Sequence, residues 1–380
     1  MTSTDHRVQG LGNDEVAADW PPIDAAELAW LQQHYPQLQG RVRTLWHSPR
    51  PLSAAALVES AAGRVFVKRH ACSVRTPATL GEEHRFIAHL AAAGVPVVRV
   101  LHDRHGRSAV AQGSNCYELH APGDGLDLYR DAHSWTPLTD LEQARAAGRM
   151  LATLHRASAG YAAPQRDTHL LVARDDLLRA ADPLARLEQE LPGRPGLADY
   201  LARHPWRAQL RHDVLPWHAG AALAERLQAE PRLWTHNDWH ASNLLWRRQG
   251  GEPRVATVFD FGLASPTSAL FDLATAIERN AVAWLALERG AQAVHAATAL
   301  ALVEGYRQVL PLSAERLRLL ADLLPVVHLD FALSEVEYFQ GITGSTANAD
   351  IAYHVFLRGH ARWFRGGPGQ ALLEALRRAA

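Results

Sequence analysis

The sequence predicts an α+β chain in which a small, antiparallel β-rich domain precedes a larger helical one. Three observations carry that reading. The length of 380 residues suits two domains at roughly 100–200 residues each. Short β-like runs crowd the stretch before residue 120, and beyond Pro122 helical patterns take over. Strands and helices that segregate along the chain, rather than alternate, point to α+β. The expected divisions are a polar, mobile tail over 1–20, a β-rich N-terminal domain over 21–120 and a helical C-terminal domain over 121–380.

Each element has a local cause. Asp24 is a cap-type residue, and Leu28, Trp30 and Leu31 follow it on a short helix reaching Tyr35. Three β-like runs come next, at 41–46, 54–60 and 64–70, the last two joined by the hairpin-length Ala61-Ala62-Gly63. From Thr79 to Ala93, Phe86, Ile87 and Leu90 recur at helical spacing, and Gly94 and Pro96 supply the stop. Residues 97–101 and 109–119 read as two more strands. Helices are then expected over 141–158, 198–210, 218–229 and 270–289, with several more toward the arginine-rich end.

Composition narrows the function. Hydrophobic residues are 47% and charged residues 21%, an ordinary globular balance. A formal net charge of −1 supplies no positive field to collect phosphate backbones, so nucleic acid is not expected as a partner. Two cysteines cannot make a disulfide scaffold, and the opening residues show no apolar leader. No stretch approaches about 18 uninterrupted apolar residues, so no membrane span is expected and a cytoplasmic location is. Of 39 basic residues, 38 are arginine and Lys68 alone is lysine. An ammonium is a compact point charge that fits between phosphates and a carboxylate, where a planar guanidinium does not. Chance survival of a codon bias is the competing explanation.

The densest chemistry is WTHNDWHASNLLW, residues 234–246, which sets His236, Asp238, His240 and Asn243 between apolar flanks. Seventeen positions after Asn243, the apolar run Val255 to Phe259 delivers Asp260-Phe261-Gly262. Two carboxylates and an amide oxygen, each at the end of a short β element, can share one hard cation and its phosphate ligands. Alternating His236, Asp238 and His240 also fit a metal-dependent phosphohydrolase, though the further histidine and aspartate pairs of a two-metal site are missing.

The pattern His236-x-Asp238-x-His240-x-x-Asn243 followed by Asp260-Phe261-Gly262 resembles the aminoglycoside phosphotransferase and choline kinase group of protein-kinase-like small-molecule kinases. The resemblance runs from about residue 41 to residue 285. It implies a protein-kinase-like, two-lobed fold and transfer of a phosphoryl group from ATP or GTP, with Mg2+, to a hydroxyl of a small molecule. By the same resemblance Asp238 is the catalytic aspartate, Asn243 and Asp260 hold the metal, and Lys68 clamps the nucleotide with Glu83 as its ion-pair partner. Glu82, about 100° away on the same helix, stays open as that partner. Glu118 and Leu119 fall in the adenine-facing hinge. Asp272 supports the catalytic loop, and His236 and His240 are expected to be structural.

The loop 47–53 lacks the glycines of a flexible phosphate cover. For the acceptor pocket, HLDFALSEVEYF places Asp330, Glu335 and Glu337 near aromatic residues, where acids would meet an amine-bearing substrate. A solvated helix face is the competing reading. A protein Ser/Thr kinase of the same superfamily is the alternative function within the fold.

Overall fold

The computed structural model describes residues 6–380 apart from 13, 134 and 221. It falls into two compact units, Met1–Asp124 and Gly125–Ala380.

The first unit is built on an antiparallel sheet. Strands β1 (Arg7–Gln9) and β2 (Glu15–Ala17) form a separate hairpin. The main sheet has β3 (Arg43–His47), β4 (Ala54–Ser60), β5 (Gly63–Ala71), β6 (Val100–Leu101), β7 (Ala109–Gln112) and β8 (Asn115–His120). Its order is β3-β4-β5-β8-β6, with β7 also paired to β8. Alternation sorts the side chains by face. Ala54, Ala56, Val58, Val65, Val67, Tyr117 and Leu119 are buried in a core with Leu28 and Leu31 of helix α1 (Ala25–Gln32). Lys68 and Glu118, of the opposite parity, lie on the other face with helix α2 (Pro77–Ala92). Thr76 caps α2 and Pro77 opens it, where a missing N–H costs nothing.

The second unit begins with α3 (Leu141–Ser158), then α4 (Asp176–Arg179), α5 (Pro183–Glu190), α6 (Pro195–Leu201), α7 (Trp206–Asp213), α8 (Leu215–Gly220) and α9 (Leu223–Gln228). Two small hairpin-like pairs follow: β9 (Arg232–Thr235) with β12 (Ser265–Ser268), and β10 (Leu244–Gln249) with β11 (Glu252–Val258). The remaining helices are α10 (Ala269–Ala281), α11 (Ala296–Arg307), α12 (Ala314–Leu323), α13 (Leu329–Tyr338), α14 (Thr346–Asp350), α15 (Arg358–Trp363) and α16 (Gly367–Arg378). Helices α3 and α11 approach closely enough that a Cβ on Gly148 would lie 2.0 Å from the Leu302 carbonyl oxygen, and one on Gly305 2.0 Å from that of Arg145. No helix among the described residues is long and apolar enough to cross a membrane.

Several expectations need correction. The segment read as a mobile tail folds over residues 7–17 into the β1–β2 hairpin, and the Gln9 N–H donates to the Pro49 carbonyl at 2.7 Å. Residues 1–5 and 13 of that segment lie outside the described residues. The run 109–119 is two strands, because Gly113 turns with φ of 57°. The helix expected over 198–210 breaks before Trp206, at Pro205, and the one over 218–229 breaks at Ala222, which takes φ of 49°. The run 270–289 ends as an α-helix at Ala281, since Val282 is extended.

Candidate active site

The loop after β9 is held from behind by helix α10. Ser268 caps that helix and accepts a hydrogen bond from Phe271 N, which places Asp272 in the first turn. The buried Asp272 carboxylate accepts from the backbone N–H of His236 at 2.9 Å and of Asn237 at 2.8 Å. His155 of α3 lies 3.0 Å from the same carboxylate and 2.9 Å from the Tyr306 hydroxyl of α11. Two orphan donors at a turn are thereby satisfied by one anion, and Asn237 can take φ of 62°. Its side-chain oxygen accepts from the Thr235 and Thr267 hydroxyls at 3.0 Å each.

Asp238 lies one residue beyond that clamp. Asn243 Nδ2 donates to its Oδ2 and to its backbone oxygen, both at 3.0 Å. Arg279 Nη1 is 3.3 Å from Oδ1, and His240 Nε2 is 3.7 Å from Oδ2. Burial pushes the Asp238 carboxyl up, but Arg279 and His240 outweigh it and hold the group far below the usual carboxylate range. A group that acidic is a weak proton acceptor, so Asp238 suits orientation of a hydroxyl and late acceptance of its proton.

Arg279 escaped the sequence reading. Its signal is position: seven residues after Asp272, or two helical turns, it shares the face of α10 that meets the loop. Asn280 was missed for the same reason. Its oxygen accepts from Ala241 N at 3.0 Å and its amide donates to the Trp239 carbonyl at 2.7 Å.

The spacing of seventeen between Asn243 and Asp260 is hairpin arithmetic. Leu244 pairs with Val258 across β10 and β11, so Asn243 just before one strand sits beside Phe259-Asp260 just after the other. Phe259 N donates to the Asn243 carbonyl at 3.2 Å. Asp260 has φ of 60°. With Nδ2 of Asn243 committed to Asp238, its amide oxygen and the Asp260 carboxylate are of the hard oxygen type that Mg2+ prefers.

His236 donates from Nε2 to the Phe259 carbonyl at 3.0 Å and accepts at Nδ1 from Asp238 N at 3.2 Å. Both ring nitrogens are therefore engaged within the loop, which removes the ligand that the phosphohydrolase alternative requires. His240 Nδ1 is 2.7 Å from the Ser242 hydroxyl.

In the first unit, Lys68 and Glu118 are cross-strand partners with Nζ 4.0 Å from Oε1. Glu118 is buried and meets His70 at 2.9 Å, His84 at 2.7 Å and His120 at 2.9 Å. Burial raises its pKa, yet the histidines hold the carboxyl well below the usual range. Glu118 is thus the anchor of a histidine cage, and Leu119 is a core residue of the opposite face. Glu83 is buried on α2, and both it and Lys68 act on the charge of His84.

The proposed acceptor residues are neither a solvated face nor a single wall. Every residue of α13 is buried. Glu337 binds Arg194 Nε at 2.8 Å, and Asp330 lies 4.0 Å from Arg194 Nη1. Burial pushes the Asp330 carboxyl up to about 7. Glu335 instead faces His328, at 3.6 Å.

The chain has counterparts among known proteins. The model of the phosphotransferase enzyme family matches residues 52–312. The chain belongs to that family. An uncharacterized protein of Deinococcus radiodurans is 29% identical over 310 residues, 78% of this chain and 76% of that one. Solved structures similar to this phosphotransferase include an amicoumacin kinase in complex with AMP-PNP and Ca2+, with a TM-score of 0.57 and 14% identity over 86% of this chain and 92% of that one. A microcompartment-associated aminopropanol kinase has a TM-score of 0.57 and 16% identity over 92% of this chain and 100% of that one. The α+β fold of the phosphotransferase is therefore the protein-kinase-like one.

Proposed function

We propose that this phosphotransferase moves the γ-phosphoryl group of ATP or GTP, with Mg2+, to a hydroxyl of a small, amine-bearing molecule. The observation that supports this best is Asp238, a carboxylate fixed as an anion by Arg279 and Asn243, on a loop that the β10–β11 register brings alongside the backbone at Phe259-Asp260. Asp238 orients the acceptor hydroxyl and receives its proton. Asn243 and Asp260 would hold the metal, which would offset the charge of the transferring phosphates. Lys68 grips the α and β phosphates, and Asp272 keeps the loop in register. An amine-bearing acceptor is favoured by the amino alcohol named for the aminopropanol kinase and by the buried acids Asp330 and Glu335. Glu337 is excluded from that role because Arg194 already neutralises it.

The test is nucleotide consumption by purified enzyme across amino alcohols, aminoglycosides, sugars and homoserine, with ATP and GTP in turn. One acceptor class should raise consumption well above the rate in water, and Asp238→Asn should lower that rate about 10²-fold or more. If no hydroxyl compound stimulates turnover beyond that of Asp238→Asn, the reading is wrong.

A further inference from the structure

Beside the Asp238 loop, the second unit buries a group of side chains that phosphoryl transfer does not use. Glu278 of α10, His328 just before α13 and His360 of α15 are 2%, 6% and 4% exposed. One donor atom from each lies within 4.8 Å of the other two. Glu278 Oε1 is 3.7 Å from His328 Nδ1 and 3.4 Å from His360 Nδ1. These separations exceed the about 2.7–3.2 Å of a hydrogen bond. The edge of a tetrahedron with ligand bonds of about 2.0–2.2 Å is about 3.3–3.6 Å; the 3.4 Å separation falls within it and the 3.7 Å one just beyond. Glu278 Oε2 and His360 Nδ1 are buried without a hydrogen-bond partner. The histidine cage around Glu118 differs in this respect: its contacts of 2.7–2.9 Å are ordinary hydrogen bonds.

We propose that Glu278 Oε1, His328 Nδ1 and His360 Nδ1 bind one divalent transition-metal ion of the zinc type, with a water as fourth ligand. Two imidazoles and a carboxylate suit such an ion better than Mg2+. Glu335 Oε2 lies 3.6 Å from His328 Nε2, on the far side of the ring from Glu278. Metal-bound histidines characteristically direct the second ring nitrogen at a carboxylate, which fixes tautomer and orientation.

The rings are held before any ion arrives. His360 stacks on Trp284 with centroids 3.6 Å apart and planes at 17°, and Trp284 Nε1 donates to the Glu278 carbonyl at 2.9 Å. His328 meets Phe331 edge-on at 5.5 Å. The ion would clasp α10, α13 and α15 one residue away from Arg279, the partner of Asp238.

The test strips the full-length Asp260→Asn variant with chelator and titrates it with Co2+, so that the oxygen pair proposed for Mg2+ does not take the ion. The expected result is one Co2+ per chain with the visible d–d absorption of a four-coordinate ion, a raised melting temperature and no competition from excess Mg2+. His360→Gln and Glu278→Gln should abolish the signal. Glu335→Gln, which keeps all three ligands, should weaken Co2+ binding about ten- to hundredfold. No uptake by the folded protein overturns the site, as does uptake unchanged in His360→Gln and Glu278→Gln. If those two variants do not fold, undiminished affinity in Glu335→Gln overturns it instead.

Discussion

Replacing Arg279 by leucine strands Asp238 in a site that burial makes hostile to its charge. The two side chains are 5% and 15% exposed and 3.3 Å apart. Opposite unit charges at that separation attract by about 5 kcal/mol at an effective dielectric of about 20. Removing one member of a buried pair costs about 3–5 kcal/mol, because the other is left uncompensated. Asn243 and His240 still support Asp238, so the lower end applies and Arg279→Leu should lower unfolding free energy by about 3 kcal/mol at pH 7. Leucine also keeps an apolar contact for Phe331, over which the guanidinium lies at 5.3 Å. The pH dependence follows from the direction of the shift. In the wild type the depressed carboxyl contributes stability that is complete above its unfolded value of about 3.9 and lost as pH falls toward its folded one. In Arg279→Leu burial dominates and raises the folded value, so protonation relieves the variant as pH falls. The stability gap should therefore narrow on acidification from pH 7 to the ordinary carboxylate range. Urea denaturation at several pH values measures it. A gap below about 1 kcal/mol at pH 7, the scale of an exposed ion pair, or one that widens in acid refutes the reasoning.

Three further outcomes are expected. Lys68→Arg should cut kcat/KM at least about tenfold, roughly 1.4 kcal/mol of transition-state stabilisation, with the melting temperature of the nucleotide-free protein little changed; equal kcat/KM would make the lone lysine an accident of composition. Asp260→Ala should abolish Mg2+-dependent nucleotide binding in calorimetry, and unchanged affinity would remove that carboxylate from the metal set. Gly148→Ala should destabilise by at least about 2 kcal/mol in thermal denaturation, since its Cβ would meet the Leu302 carbonyl oxygen at 2.0 Å; a neutral substitution would mean that α3 and α11 part freely.

The parts of this molecule that were legible in its sequence are those that local chemistry dictates. Helix α3 was readable to the residue because Asp140 caps it and its apolar stripe is continuous. The hairpin of the strands before and after Ala61-Ala62-Gly63, which carries Lys68, followed from alternation and from the short connection. Breaks inside helical patterns were not legible: Ala222 takes φ of 49° without any glycine or asparagine to announce it. Contacts between distant segments were hidden too. Arg279 looks like any surface cation on an amphipathic helix until the fold sets Asp238 against it. The histidine cage of Glu118 was hidden as well, because His70, His84 and His120 converge on it from two strands and a helix. The acids of α13 were read by type alone, and only packing reveals that Arg194 claims Glu337.

The chain from Tyr306 through His155 and Asp272 to the 236–237 backbone starts at two helices whose glycines nearly touch the facing carbonyls. Such a support is inherited as a block. Any drift in the spacing of α3 and α11 would displace the reactive loop, so those positions tolerate little change. Asp330 and Glu335, by contrast, sit on α13, which takes no part in this relay. If those two acids meet the acceptor as proposed above, substitutions on α13 can alter acceptor preference while the relay behind the 236–237 backbone stays fixed, and one scaffold can serve many acceptors without rebuilding its chemistry.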